Sequence, residues 1–100
     1  MVNERRKEKR KPVSIEARWE GMSGKHKARV TDISMGGCYL ETLGHTSLGE
    51  LIDFEIKMST GKWLSLRGSV ASCDPPVGFS LSFTYLTRDE QHLLAQLIKS

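Results

Sequence analysis

Two short stretches hold residues whose types and spacing could do chemistry. In "DISMGG", Asp32, Ser34 and Gly37 sit at fixed offsets on one bend, with Gly36 beside them. In "RKEKR", Arg6 and Arg10 stand four apart near the start of the chain, and Arg5 directly precedes them. A carboxylate accepts hydrogen bonds, a hydroxyl donates, and a glycine bend exposes amides. That set can hold a nucleobase edge and a phosphate. Guanidinium forks bind phosphate oxygens bidentately, pair with the O6/N7 edge of guanine and stack on bases. Together, bend and arginines could clamp something flat, anionic and guanine-bearing. The same residues also have a purely architectural use. Asp32 could fix an Asx-type bend by accepting from amides two residues on, Ser34 could do likewise, and Gly37 could supply positive φ.

Nothing else in the chain asks for catalysis. His26, His45 and His92 have no partner at metal-ligand spacing. Asp53 and Glu55 share the polar side of one strand and read as a solvated pair rather than an acid/base couple. No nucleophile elbow, Walker loop or GxGxxG is present. The expectation is a binding protein, with no catalytic residue, no metal and no cofactor.

The elements that must position these groups are legible from periodicity. "VSIEARWE" alternates, with Val13, Ile15, Ala17 and Trp19 on one side. After the turn "GMSGK", a second strand from about Lys25 to Ile33 enters the bend, and a third from Gly37 to Thr42 leaves it. "LIDFEIKM" puts Ile52, Phe54, Ile56 and Met58 on one face, and "WLSLRGSVAS" does so with Leu64, Leu66 and Val70 around Gly68. A glycine inside a strand marks a bulge or a close approach. "DPP" breaks the chain. "VGFSLSFTY" follows, with Val77, Phe79, Leu81, Phe83 and Tyr85 expected inward. Thr87 and Glu90 make a capping box, and Leu93, Leu94, Leu97 and Ile98 then share a helical face. The fold expected is mainly β: a six-stranded antiparallel β-barrel with a C-terminal α-helix over an open end.

One hundred residues suit a single domain with one modest core. Residues 1–11 read as a flexible basic arm, and residues 12–100 as the barrel domain. The arm holds six basic residues against two acidic, a net +4, and the remainder nine basic against ten acidic, a net −1. The positive charge therefore sits entirely in the arm. Two readings fit it: an anionic partner, or a solvated terminus that aids solubility. No apolar run approaches a membrane span, and no apolar segment follows the charged start, so no span and a cytoplasmic setting are expected. Cys38 and Cys73 show no metal or redox spacing and are expected to be two reduced core thiols.

On these residues the chain resembles the PilZ domain family, the bacterial receptor module for cyclic di-GMP. That family is marked by RxxxR in an N-terminal arm, here Arg6 to Arg10, and by [D/N]xSxxG after the second strand, here Asp32 to Gly37. "RKPV", "VGFSLSF" and "TRDEQHLLAQLI" resemble its entry into the first strand, its late strand and its closing helix. The resemblance implies that Arg6 and Arg10 grip guanine and phosphate, and that Arg5 adds a contact. It implies that Asp32 and Ser34 hydrogen-bond the ligand or its arginine partners, while Gly36 and Gly37 permit close approach. The cost of ordering such an arm leads to the expectation that it is mobile when empty and ordered when occupied, and a downstream protein partner is expected to receive the signal. With no output domain in the sequence, motility, exopolysaccharide or virulence control is expected to run through that partner. One departure stands out: many members carry an aromatic residue near the end of the fifth strand, where this chain has Ser72. A second reading stays open. In it the chain is a nucleotide-independent protein–protein interaction module that uses its basic arm. No polynucleotide partner is expected.

Overall fold

The structure is a computed structural model and describes residues 10–99. Its elements are β1 (Lys11–Gly21), β2 (Gly24–Ile33), β3 (Gly37–Glu41), β4 (Leu51–Lys57), β5 (Trp63–Asp74), β6 (Gly78–Phe83) and α1 (Arg88–Lys99). The strands close into a barrel in the order β1-β2-β3-β6-β5-β4, every pair antiparallel. The expected barrel and closing helix are both present. β6 inserts between β3 and β5, so it forms part of the wall beside the bend.

Alternation fills the lumen as the sequence requires. Ala17, Trp19, Val30, Leu40, Ile52, Phe54, Ile56, Leu66, Val70, Phe79 and Leu81 are all buried. Trp19 buries a polar N–H as well. That group donates to Thr42 Oγ1 at 3.0 Å, and the Thr42 hydroxyl donates on to the Lys27 carbonyl at 2.8 Å. The buried donor is thus satisfied, as a low-polarity core demands.

Four expectations need correction. Val77 and Tyr85 do not point inward. β6 runs only from Gly78 to Phe83, and the two residues lie beyond its ends, exposed. Their alternation with Phe79 and Leu81 continues past the strand, where no ladder enforces it. Cys73 is not a core thiol: it lies past a register shift between Val70 and Ser72 and is exposed, whereas Cys38 is fully buried. Glu55 is not simply solvated. It accepts from Arg18 Nε at 2.5 Å and from the Ser65 hydroxyl at 3.2 Å, and the Arg18 bond holds its carboxyl below the usual glutamate range. Finally, Lys11 belongs to β1 rather than to the arm, since it pairs with Ile33.

Gly37 has no positive φ; among the described residues only Gly24, Gly49 and Gly61 do. Its role is steric. A Cβ there would stand 2.1 Å from the Leu81 carbonyl oxygen on β6. Gly78 mirrors it, with a Cβ 2.1 Å from the Leu40 carbonyl on β3. The two glycines let the β3 and β6 backbones approach at both ends of their ladder. Gly68 on β5 is a milder case, 2.9 Å from the Ser82 carbonyl.

The helix closes one end of the barrel. Leu94 is fully buried, and Leu93, Leu97 and Ile98 pack beside it with Val13, Ile15, Met58 and Phe83 against the core. Its start is fixed by the capping box. Thr87 N donates to Glu90 Oε1 at 3.0 Å and Glu90 N donates to Thr87 Oγ1 at 3.1 Å. Arg67 on β5 donates to the same Glu90 oxygen at 2.8 Å. At the far end, Lys11 Nζ donates to the Ile98 carbonyl at 2.7 Å, a cation at the negative pole of the helix.

Three outcomes follow. Gly37→Ala forces backbone against backbone and should destabilise the fold by about 3 kcal/mol in urea titration, the upper part of the overpacking range. Burial alone would raise the Glu90 carboxyl, but donation from Thr87 and the Arg67 guanidinium outweighs it and holds the group below its ordinary value of 4.5. A depressed folded value means stability that is present above about 4.5 and lost as pH falls through the folded value. Glu90→Gln should therefore cost about 1 kcal/mol at neutral pH and flatten the acid side of a melting-temperature profile. Burial pushes the Cys38 thiol up to about 12, so a thiol reagent at neutral pH should modify Cys73 alone in the native chain and both cysteines after unfolding.

Candidate functional site

The bend between β2 and β3 is stapled from within by one hydroxyl. Ser34 Oγ accepts from Gly36 N at 3.1 Å and Gly37 N at 3.2 Å, and it lies 3.4 Å from the Gly37 carbonyl, to which it donates. Ser34 N closes the turn onto that same carbonyl at 2.8 Å. β6 holds the bend from the side, where Phe83 N donates to the Gly36 carbonyl at 2.9 Å. Ser34 is only 4% exposed, so its hydroxyl works inside the turn. The amides of Ser34, Gly36 and Gly37 are likewise bonded within the bend rather than offered outward.

Asp32 does not make the bend. It lies on β2, paired with Pro12 on one side and Tyr39 on the other. Its carboxylate faces the outer wall and accepts from Arg10 Nη1. The turn-shaping role expected of Asp32 therefore falls to Ser34, and Asp32 is left to receive an arginine of the arm. Their side chains are 50% and 34% exposed, so this is a surface ion pair in high dielectric, worth under about 1 kcal/mol. A pair that weak positions the guanidinium and releases it at little cost.

Of the seven residues expected at the site, the structure brings together Arg10, Asp32, Ser34, Gly36 and Gly37. Arg5 and Arg6 lie outside the described residues. Behind the site, Cys38 fills the lumen opposite Ile33. Beside it runs an outer row that sequence reading passed over. Tyr39 pairs with Ser80 and Ser80 with Ser72, whose hydroxyls meet at 2.6 Å. Tyr39 Oη donates to Asp74 Oδ2 at 3.4 Å, and burial, together with the Asp74 carboxylate, raises the phenol above its ordinary value. The signal was available: Tyr39 stands between two inward residues, Cys38 and Leu40, so alternation alone puts an aromatic side chain outside.

A concavity of ≈ 630 Å³ lies elsewhere, on the β1/β4/β5 wall around Arg18, Asp53, Glu55 and Arg67. Its two arginines are paired, Arg18 with Glu55 and Arg67 with Glu90 outside the groove, and Arg18 also sits 3.9 Å over the Trp63 ring. The two guanidiniums of this groove are thus already engaged by carboxylates. On the wall beside Asp32, by contrast, the described cation is Arg10. No group of three metal-ligating side chains occurs among the described residues, and none of their helices is long and apolar enough to cross a membrane.

Comparison with solved structures finds the same barrel in two proteins of low identity. The Bacillus subtilis inhibitor of motility, MotI/DgrA, superposes with a TM-score of 0.75 at 18% identity, over 96% of this chain and 50% of its own. The chain thus spans half the length of that protein. The PilZ domain of CeSA from a cellulose-synthesizing bacterium superposes with a TM-score of 0.70 at 17% identity, over 90% of this chain and 94% of its own. Such identities speak for the fold alone. No curated protein matches the chain. The sequence itself matches the PilZ domain family over residues 4–100, which takes in both the arm with Arg6 and Arg10 and the Ser34-stapled bend. The chain belongs to the PilZ domain family.

Proposed function

We propose that the chain is a cyclic di-GMP receptor that binds its ligand between the Arg6–Arg10 arm and the Asp32–Gly37 bend. Arg10 docked on Asp32, at the edge of a bend held rigid by Ser34, is the observation that carries this reading. It puts a guanidinium on the barrel wall, in a pair weak enough for a phosphate or a guanine edge to take over. Arg5 and Arg6 complete the cationic side from the arm. Ser34, Gly36 and Gly37 shape the bend and keep side chains off the approach to it. The protein acts as a binding module and not as an enzyme.

The energetics suit a signalling affinity. A charge-assisted hydrogen bond contributes about 1.5–3 kcal/mol net, and a micromolar complex needs roughly 8 kcal/mol. Three or four such contacts with base stacking, less the cost of ordering the arm, come near that figure. Ordering of the arm across the wall makes a new surface, which a partner protein in the bacterial cytoplasm reads. A motility inhibitor with the same barrel makes motility one natural output. Exopolysaccharide synthesis and virulence are others.

Calorimetric titration of the whole chain with cyclic di-GMP tests the proposal. Micromolar binding is expected, weakened about tenfold or more in Arg10→Ala, the loss of one charged contact. Added salt should weaken it only shallowly, because a ligand with two phosphates releases few counterions. Absence of binding at ligand concentrations on the order of 1 mM, where only about 4 kcal/mol is needed, would overturn the reading. Amide relaxation of the arm that does not change on ligand addition would overturn the ordering step.

A further inference from the structure

Tyr39 is the one aromatic side chain in the outer row that starts at Asp32. Its ladder partners are Asp32 on β2 and Ser80 on β6, and Ser80 faces Ser72 on β5. The next outward positions are short as well, with Ser82 opposite Ser69. The wall around the ring is therefore low and flat. The phenol oxygen reaches Asp74 Oδ2, at 3.4 Å, although Asp74 lies on β5, two strands from β3. Adjacent strands are about 4.8 Å apart, so the reach spans about 10 Å. A tyrosine standing upright on the sheet does not cover that distance. The ring must lean across β6, where Gly78 carries no side chain to hold it off and is buried. A leaning ring rests one face on the sheet and turns the other to solvent. The long contact to Asp74 agrees with that lean, which turns a ring face toward any flat partner on the wall.

We propose that the outward face of Tyr39 is the stacking platform for a guanine base of the ligand, one strand away from the guanidinium that Arg10 rests on Asp32. The inference builds on the receptor reading above and adds to it a side of the site outside both sequence motifs. Arg10 holds charge, Tyr39 holds a π-face, and the serines between them and β5 keep the shelf clear. Stacking needs the ring and not the hydroxyl, so phenylalanine should replace tyrosine and a branched aliphatic should not.

The test is calorimetry of the full chain with cyclic di-GMP, joined to proton NMR of the bound ligand. Tyr39→Leu should weaken binding about tenfold, within the range measured for loss of a base–aromatic stack. Tyr39→Phe should stay within about threefold of the parent, and Tyr85→Leu, which changes the exposed tyrosine beyond β6, should bind as the parent does. The guanine H8 proton should move upfield on binding to the parent and to Tyr39→Phe. An unshifted H8 in the parent complex overturns the platform whatever the variants do, as does parental affinity in a folded Tyr39→Leu. Either result leaves the receptor reading standing. A parent chain that binds no cyclic di-GMP removes both.

Discussion

Two missing Cβ atoms hold the functional wall together. Gly37 and Gly78 bracket the β3–β6 ladder, and each would drive a methyl to 2.1 Å from a carbonyl oxygen of the facing strand. Because both are glycine, β6 can lie close against β3 and donate from Phe83 to the carbonyl of Gly36. That bond and the Ser34 staple fix the bend from two sides. The bend in turn sets the register in which Ile33 meets Cys38 and Asp32 meets Tyr39. The direction of the Asp32 carboxylate, and so the resting place of Arg10, depends on that close approach.

The division of labour among the motif residues is sharper than their types suggest. Ser34 is buried and works inside the turn, whereas Asp32 is partly exposed and faces the arm. One residue makes the surface rigid and the other makes it attractive to a guanidinium. A strong, buried pair would have trapped the arginine, because breaking such a pair leaves an uncompensated charge at a cost of several kcal/mol. A surface pair leaves it available.

Much of this was legible in the amino-acid order. Six strands and a capped helix follow from period-two and period-3.6 patterning, and the Thr87–Glu90 box marks the helix start correctly. Arg10, Asp32, Ser34, Gly36 and Gly37 were identifiable as a group because both motifs are local. What failed depended on contacts distant in sequence. Gly37 reads as a positive-φ glycine until β6 is placed beside it. Asp32 reads as a turn former until Arg10, 22 residues earlier, meets it. Val77 and Tyr85 read as inward because alternation carries no mark of where the ladder ends. Tyr39 and Asp74, 35 residues apart, have no local pattern that pairs them.

The root of the arm shows how such a site can bind at all. Each residue that a ligand must fix costs about 1–2 kcal/mol of backbone entropy, so even a short arm set entirely by the ligand would consume most of a micromolar binding energy. Here the last two residues of the basic stretch are already placed. Arg10 sits on Asp32, while Lys11 is paired with Ile33 and bonded through its ammonium to the carbonyl of Ile98 at the end of α1. Arg10 is therefore held on the wall beside the bend, one strand from the Tyr39 ring. A ligand that engages Arg10 first meets a group whose position has been determined by folding. The remaining contacts then add to that one rather than replace the entropy of a free terminus.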